Sequence, residues 1–252
     1  RGARGAGDDA LNAGGGGGGD RLGSAGALVI IAVASGKGGV GKTTLAYNLG
    51  AALDAVVVDA DLGMANLPRG RGPDLHDVLA GQAEVTEAIR GGPVSLLPCG
   101  RSLAGARAAD VRELADTLRR VEAERGDVVV DCPAGLRADV GVPLAVADAC
   151  VLVVSPRRFA LADAVRTREL ARELDAGLVG VALNRTTAAD DPPTDVFRRV
   201  LGAPISTVPA DPRVGRSVEA ERPVSTAAPE SVAADAIRSL AAAVRAGRRT
   251  PR

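Results

Sequence analysis

Between two apolar stretches the chain carries SGKGGVGKTT, Ser35 to Thr44, and no other segment restricts its fold as narrowly. The residues before it, LVIIAVA (Leu28 to Ala34), are apolar and rich in β-branching, as in a strand buried on both faces. The residues after it, TTLAYNLGAAL, read as a helix. Glycines in the turn between let backbone N–H groups converge on one point without Cβ clashes, and the following helix offers its N-terminal partial positive charge. A strand, a glycine turn and a helix in this order make an anion cradle. Gly36-x-x-x-x-Gly41-Lys42-Thr43 has the spacing of a phosphate-binding loop. Gly38, Gly39, Val40, Gly41, Lys42, Thr43 and Thr44 are its candidate nucleotide-binding residues. Lys42 reaches the β and γ phosphates, and the Thr43 hydroxyl is a candidate Mg²⁺ ligand.

The charge inventory singles out the same loop. Of 31 lysines and arginines only two are lysines, Lys37 and Lys42, and both lie inside it. A compact ammonium on a flexible stem differs physically from a planar guanidinium fork. A glycine-rich turn that holds a lysine by chance is the competing reading, and two lysines gathered in one such turn argue against it.

Downstream, VVVDAD (Val56 to Asp61) reads as a second buried strand, reached from the preceding helix in a residue or two. PVSLLP, DVVVD (Asp127 to Asp131), ACVLVVS (Ala149 to Ser155), GLVGVALN (Gly177 to Asn184) and a short PISTVP follow as further strands. LHDVLAG, VTEAIR, Ala108 to Glu124, a segment near Leu144, Leu161 to Leu174, Asp195 to Leu201 and Ser231 to Val244 read as helices. Val111, Leu114, Leu118 and Val121 share one face of the Ala108 helix. Doubly apolar strands alternating with helices predict an α/β fold: a mostly parallel sheet with helices on both faces, in three layers. No repeat or second domain is evident. Residues 28–245 form the domain, flanked by an Arg-rich tail at 246–252 and by residues 1–27. The latter, with the glycine run Gly14 to Gly19, read as a disordered extension or a mis-assigned start.

Acids close two of the strands: Asp59 and Asp61 the second, Asp131 the fourth. The carboxyl ends of parallel strands line the ligand crevice. An acid there holds Mg²⁺ through water, or orients an attacking water for in-line transfer. Sequence physics does not divide these roles between Asp59 and Asp61. Helix capping is the competing role for Asp131, and the apolar run leading straight to it argues for the site. Thr43, Asp59 and Asp131 are the candidate metal ligands.

Other features exclude functions. Formal net charge is zero, so no global field draws in nucleic acid or acidic membrane. Tyr47, Phe159 and Phe197 are the only aromatics, too few for a base-stacking platform. Cys99, Cys132 and Cys150 include no Cys-x-x-Cys pair. That opposes a disulfide framework, a zinc ribbon or a paired-cysteine iron–sulfur site, and fits a reducing, cytoplasmic compartment. Cys132 reads as a small buried residue, and His76, the single histidine, as a surface or packing residue. No apolar run reaches the roughly 18–20 residues of a bilayer span. The N-terminus lacks the charged-then-apolar order of a signal peptide.

KGGVGKTT, with Lys37 ahead of the usual lysine, resembles the deviant Walker A group of P-loop ATPases, the MinD/ParA family. VVVDADLGMANLP, LHDVLAG, VTEAI, VSLLPCG, DVVVDCPAG, LNR (Leu183 to Arg185) and VPADPRVGRSVEAERPV (Val208 to Val224) follow in that family's order. They are most similar to its archaeal MinD-like branch, over about residues 28–245. Pro133-Ala134-Gly135 favours MinD over ParA, whose equivalent usually reads Pro-Pro. The resemblance implies a P-loop NTPase fold and an ATPase acting on ATP with Mg²⁺. In an ATP-dependent homodimer Lys37 would cross to the partner subunit's phosphates. Asp61 would position the hydrolytic water, Asp131 would support Mg²⁺, and Asn184, Pro209 and Asp211 would lie near the adenine. Such a switch positions something in the cell, at a septum site or a pole, and works with an activator or cargo protein that the sequence does not name. A DNA-partitioning ParA-like ATPase that binds nucleic acid is one rival. A nucleotide-holding regulatory module with little turnover is another, and intact Lys37 and Asp61 count against it. One departure stands out. The terminus AAAVRAGRRTPR has an alanine face and arginines but no bulky apolar cluster, so at most weak peripheral contact with the inner face of the cell membrane is expected.

Overall fold

The computed structural model describes residues 29–63, 66–68, 71–100, 102–135, 138–187 and 192–247. The expected extension at 1–27 and residues 248–252 of the tail lie outside them.

The chain runs β1 (Ile30–Ala34), α1 (Lys42–Leu53), β2 (Val56–Asp59), α2 (Leu75–Leu79), α3 (Val85–Ala88), β3 (Leu96–Leu97) and α4 (Leu103–Ala108). After a 3-10 turn at Val111–Glu113 come α5 (Leu114–Arg125), β4 (Val128–Asp131), α6 (Ala138–Val146), β5 (Ala149–Val154), α7 (Ala160–Glu173) and β6 (Gly177–Thr186). The last elements are α8 (Thr194–Leu201), β7 (Ile205–Pro209), α9 (Pro212–Arg216), α10 (Val224–Ala227) and α11 (Val232–Gly247). The strands form one sheet in the order β3-β2-β4-β1-β5-β6-β7, with every neighbouring pair parallel. Strand β1 is therefore central, between β4 and β5. Chain connections leave it in both directions, which opens a crevice at its carboxyl end. Among the described residues no helix is long and apolar enough to cross a membrane.

Successive side chains of a strand point to opposite faces, and the core divides accordingly. Ile30, Ala32, Val56, Val58, Val128, Val130, Cys150 and Leu152 meet α2, α3, α5, α6, α7 and α8. Ile31, Val33, Val57, Val129, Val151 and Val153 meet Leu45, Leu49 and Leu53 of α1 and Leu240 and Val244 of α11. This is why the strands read as unbroken apolar runs. The abrupt passage from α1 to β2 has a local cause. Asp54 takes a left-handed φ of 58° and ends the helix with its N–H on the Gly50 carbonyl.

Two expectations need correction, and one helix is added. PVSLLP yields only the two residues of β3, an edge strand between Pro93 and Pro98; proline has no N–H for the ladder. The helix expected from Ala108 to Glu124 is broken. Asp110 is extended and accepts the Arg112 N–H, which starts a new helical turn and leaves Val111 41% exposed. The segment from Val208 to Val224 contains a helix, α9, that hydrophobic spacing did not reveal. Leu118, fully buried, should cost about 2–5 kcal/mol when replaced by alanine. Val111→Ala should cost about 0.5 kcal/mol or less. Urea denaturation of the two variants checks this, and equal losses would restore Val111 to the core.

Candidate functional site

The glycine loop leaves the top of β1, and α1 begins at Lys42. Gly41 caps that helix with φ 91°, and a Cβ there would meet Asn184 Nδ2 at 2.3 Å. No side chain caps α1, and its first turn holds no acid. The N-terminus of a 12-residue helix thus faces a cleft of about 380 Å³, a ready site for an anion. Gly38, Gly39, Gly41, Lys42, Thr43, Thr44, Asp61 and Asn66 contribute to the cleft wall. A second cleft of about 290 Å³, walled by Asn184, Pro209, Asp211 and Val214, shares Gly41, Thr44 and Arg185 with the first. The pair has the arrangement of a phosphate site beside a base site.

Register places the acids. Asp59 of β2 lies beside Asp131 of β4, and Asp131 lies beside Val33, two residues before Ser35. Lys42 Nζ bonds Asp131 Oδ1 at 2.7 Å, and both side chains are buried. Burial alone would lower the Lys42 pKa, but the Asp131 carboxylate outweighs it and holds the ammonium above its ordinary range. The Thr43 hydroxyl lies near the same carboxylate, whose buried Oδ2 has no hydrogen-bond partner among the described residues. An orphaned acidic oxygen beside a hydroxyl and a phosphate site fits Mg²⁺, which draws its other ligands from phosphate and water.

Asp59, expected among the metal ligands, has both carboxylate oxygens engaged by backbone N–H groups. Its Oδ1 accepts from Asp61 N at 3.2 Å, and its Oδ2 from Asn66 N and Leu67 N at 3.0 and 3.2 Å. It anchors the loop that carries Asp61 and does not line the cleft. Burial, with the charge of Asp131 added, pushes its carboxyl up to about 7. Asp61 lines the cleft as expected. Asn184 donates to the Val40 carbonyl at 2.7 Å and so braces the phosphate loop from β6. Asp211 caps α9 and forks onto Arg213, which holds its carboxyl below the usual range. His76 is buried, 2% exposed, and does not lie at the surface.

Lys37 sits on the outer rim, 60% exposed, 3.2 Å from Asp163 of α7 and over the Phe159 ring at 5.5 Å. Sequence reasoning missed Asp163 and also the role of Arg185, which donates to the Gly39 carbonyl at 3.0 Å. The only available signal was topological: β5 and β6 had to lie on the side of β1 where their following turns meet the loop.

Fold and clefts together define a P-loop nucleotide-binding protein. Residues 31–224 match the family described as the CobQ/CobB/MinD/ParA nucleotide binding domain. The chain is 34% identical over 228 residues to an uncharacterized ATP-binding protein of Methanocaldococcus jannaschii, covering 85% of this chain and 86% of the relative. It is similar to the solved cell division ATPase MinD of Pyrococcus furiosus, with a TM-score of 0.80 and 31% identity over 87% of this chain and 99% of that one. It is also similar to the septum site-determining protein MinD of Pyrococcus horikoshii, solved in complex with Mg-ADP, with a TM-score of 0.78 and 31% identity over 86% and 95% of the two chains. The chain belongs to the MinD/ParA family of P-loop ATPases.

The Asp59 assignment has a pH signature. A carboxyl raised in the folded state binds its proton more tightly there than in the unfolded chain. Its contribution therefore favours the fold at low pH and fades as pH rises. The unfolding free energy of wild type minus that of Asp59→Asn should fall between pH 3.8 and about 7. Urea denaturation without nucleotide or metal measures it, and a flat or rising difference contradicts the assignment.

Proposed function

We propose that the chain binds ATP with Mg²⁺ in this cleft, hydrolyses the β–γ bond, and uses the bound γ-phosphate to join two copies. It would thus act as a MinD-like switch for positioning within the cell, of the septum-site or polar kind. The observation that carries this is the placement of the two lysines about one open helix N-terminus. Lys42 is buried at its base, and Lys37 is exposed at its rim. The Mg-ADP held by the Pyrococcus horikoshii relative supports the choice of ligand.

On this reading Lys42 swings from Asp131 to the β and γ phosphates, and Asp131 is left to face the cation with Thr43. Bound Mg²⁺ neutralises phosphate charge and favours in-line attack. The loop N–H groups hold the phosphate oxygens, Asn184 keeps the loop in shape, and Pro209 and Asp211 wall the adenine. Asp61 orients the attacking water. Lys37 exchanges Asp163 for the partner's phosphates. An exposed ion pair of this sort is worth about 1 kcal/mol or less, so it yields readily to a multiply charged anion. A two-fold axis then supplies one such lysine to each site. The working place is the cytoplasm, with at most weak contact at the membrane face, and the activator or cargo is a second protein.

Asp61→Ala should bind ATP and hydrolyse it orders of magnitude more slowly. By light scattering this variant should be monomeric with ADP and dimeric with ATP, and adding Lys37→Ala should abolish the dimer. An oligomeric state indifferent to nucleotide, or a Lys37→Ala double variant that still dimerises, would overturn the switch. Lys42→Ala should lose most ATP affinity or turnover, and hydrolysis at the wild-type rate would refute the site itself.

A further inference from the structure

The single histidine has no part in the reading so far, yet it is buried against the loop that carries Asp61. His76 lies on α2, whose first turn is locked by a reciprocal cap. Asp74 Oδ1 accepts from His76 N at 2.9 Å, and Asp77 Oδ2 accepts from Asp74 N at 2.9 Å. The ring's Nε2 then stands 3.2 Å from the Leu62 carbonyl oxygen and 3.3 Å from Cys99 Sγ. A carbonyl oxygen only accepts, so the contact is attractive when Nε2 carries the proton. Burial raises the Cys99 thiol well above its ordinary range, so the sulfur stays neutral beside the ring.

That tautomer leaves Nδ1 as an acceptor, and Nδ1 is buried without a partner among the described residues. Buried polar atoms of this kind are rare because they are costly. The chain nevertheless keeps room for the ring. A Cβ at Gly100 would lie 2.6 Å from Nδ1, and one at Gly105 would lie 3.2 Å from His76 Cβ. Were packing the only requirement, an apolar side chain of similar size would fill the place without an orphaned nitrogen. The histidine adds one thing an apolar residue lacks, an N–H aimed at Leu62.

Leu62 directly follows Asp61. Asp59 holds the loop from the inside through the Asp61, Asn66 and Leu67 N–H groups. His76 holds it from the other side through the next carbonyl. The cleft-lining Asp61 lies between these two anchors. We propose that His76 is a positioning residue for ATP hydrolysis, fixing the Leu62 carbonyl and with it the Asp61 carboxylate. This rests on the assignment of the attacking water to Asp61.

The test compares His76→Gln, His76→Asn and His76→Leu with wild type and Asp61→Ala, in single-turnover ATP hydrolysis and in ADP binding. A glutamine amide nitrogen reaches the position of Nε2. An asparagine amide stops at that of Nδ1, and leucine offers no donor. A misplacement on the order of 1 Å costs up to about a hundredfold in such reactions. His76→Asn and His76→Leu should therefore hydrolyse ATP about ten- to a hundredfold more slowly, with ADP affinity within about twofold of wild type. His76→Gln should recover most of the rate. Should one variant fail to fold, the other donor-less variant still decides against His76→Gln. The inference is overturned if the donor-less variants and His76→Gln hydrolyse alike, at the wild-type rate or equally slowly. Asp61→Ala at the wild-type rate would instead overturn the Asp61 reading, whereas a slow Asp61→Ala beside unimpaired His76 variants overturns the His76 inference alone.

Discussion

An ammonium and a carboxylate 2.7 Å apart, both buried, tie the first residue of α1 to the last residue of β4. Taking two charges out of water is expensive, and each is tolerable only because the other is there; deleting one partner of such a pair costs about 3–5 kcal/mol. This pair fixes the glycine loop against the acid-bearing strand before any ligand arrives. It also frames the chemistry. On the proposed reading, a phosphate at Lys42 would take over the role of Asp131, and a cation at Asp131 would take over the role of Lys42. Nucleotide and metal would then enter together, each relieving the charge that the other leaves unpaired.

The sheet makes this possible by register. Parallel pairing puts Asp59 and Asp131 side by side at one level, next to the strand that leads into the loop. Two ionised carboxylates that close would repel, and the structure relieves this asymmetrically. Asp131 has Lys42. Among the described residues Asp59 has only backbone N–H groups, and burial with its neighbour's charge lifts it to about 7. One acid is thereby paired with the loop lysine and the other holds a loop. Two aspartates of equal appearance in the sequence acquire different work from what surrounds them.

Much of this was legible beforehand. Strands such as VVVD and ACVLVV declare burial on both faces because nothing polar interrupts them, and a parallel sheet is the structure that demands this. The loop declared itself through glycine spacing and two lysines, both local features. What escaped was what depends on distant packing. Asp163 looks like any helical aspartate until α7 is laid beside the loop. Asp59 and Asp61 differ only in which way the chain turns after β2, and His76 gains its contact only when α2 folds back onto Leu62. Val111 fitted the helical period, but Asp110 began a new turn there, so a local side-chain bond overrode the pattern.

The central claim is that Lys42 leaves Asp131 for a phosphate. A crystal structure of the Mg-ADP complex measures this directly. The account predicts ADP along the two joined clefts, its β-phosphate against the loop N–H groups. Lys42 Nζ should lie within hydrogen-bond distance of a phosphate oxygen and no longer bond Asp131, with the metal ion on the Thr43 and Asp131 side. A Lys42–Asp131 bond still intact with nucleotide bound, or a nucleotide seated away from the N-terminus of α1, would contradict it.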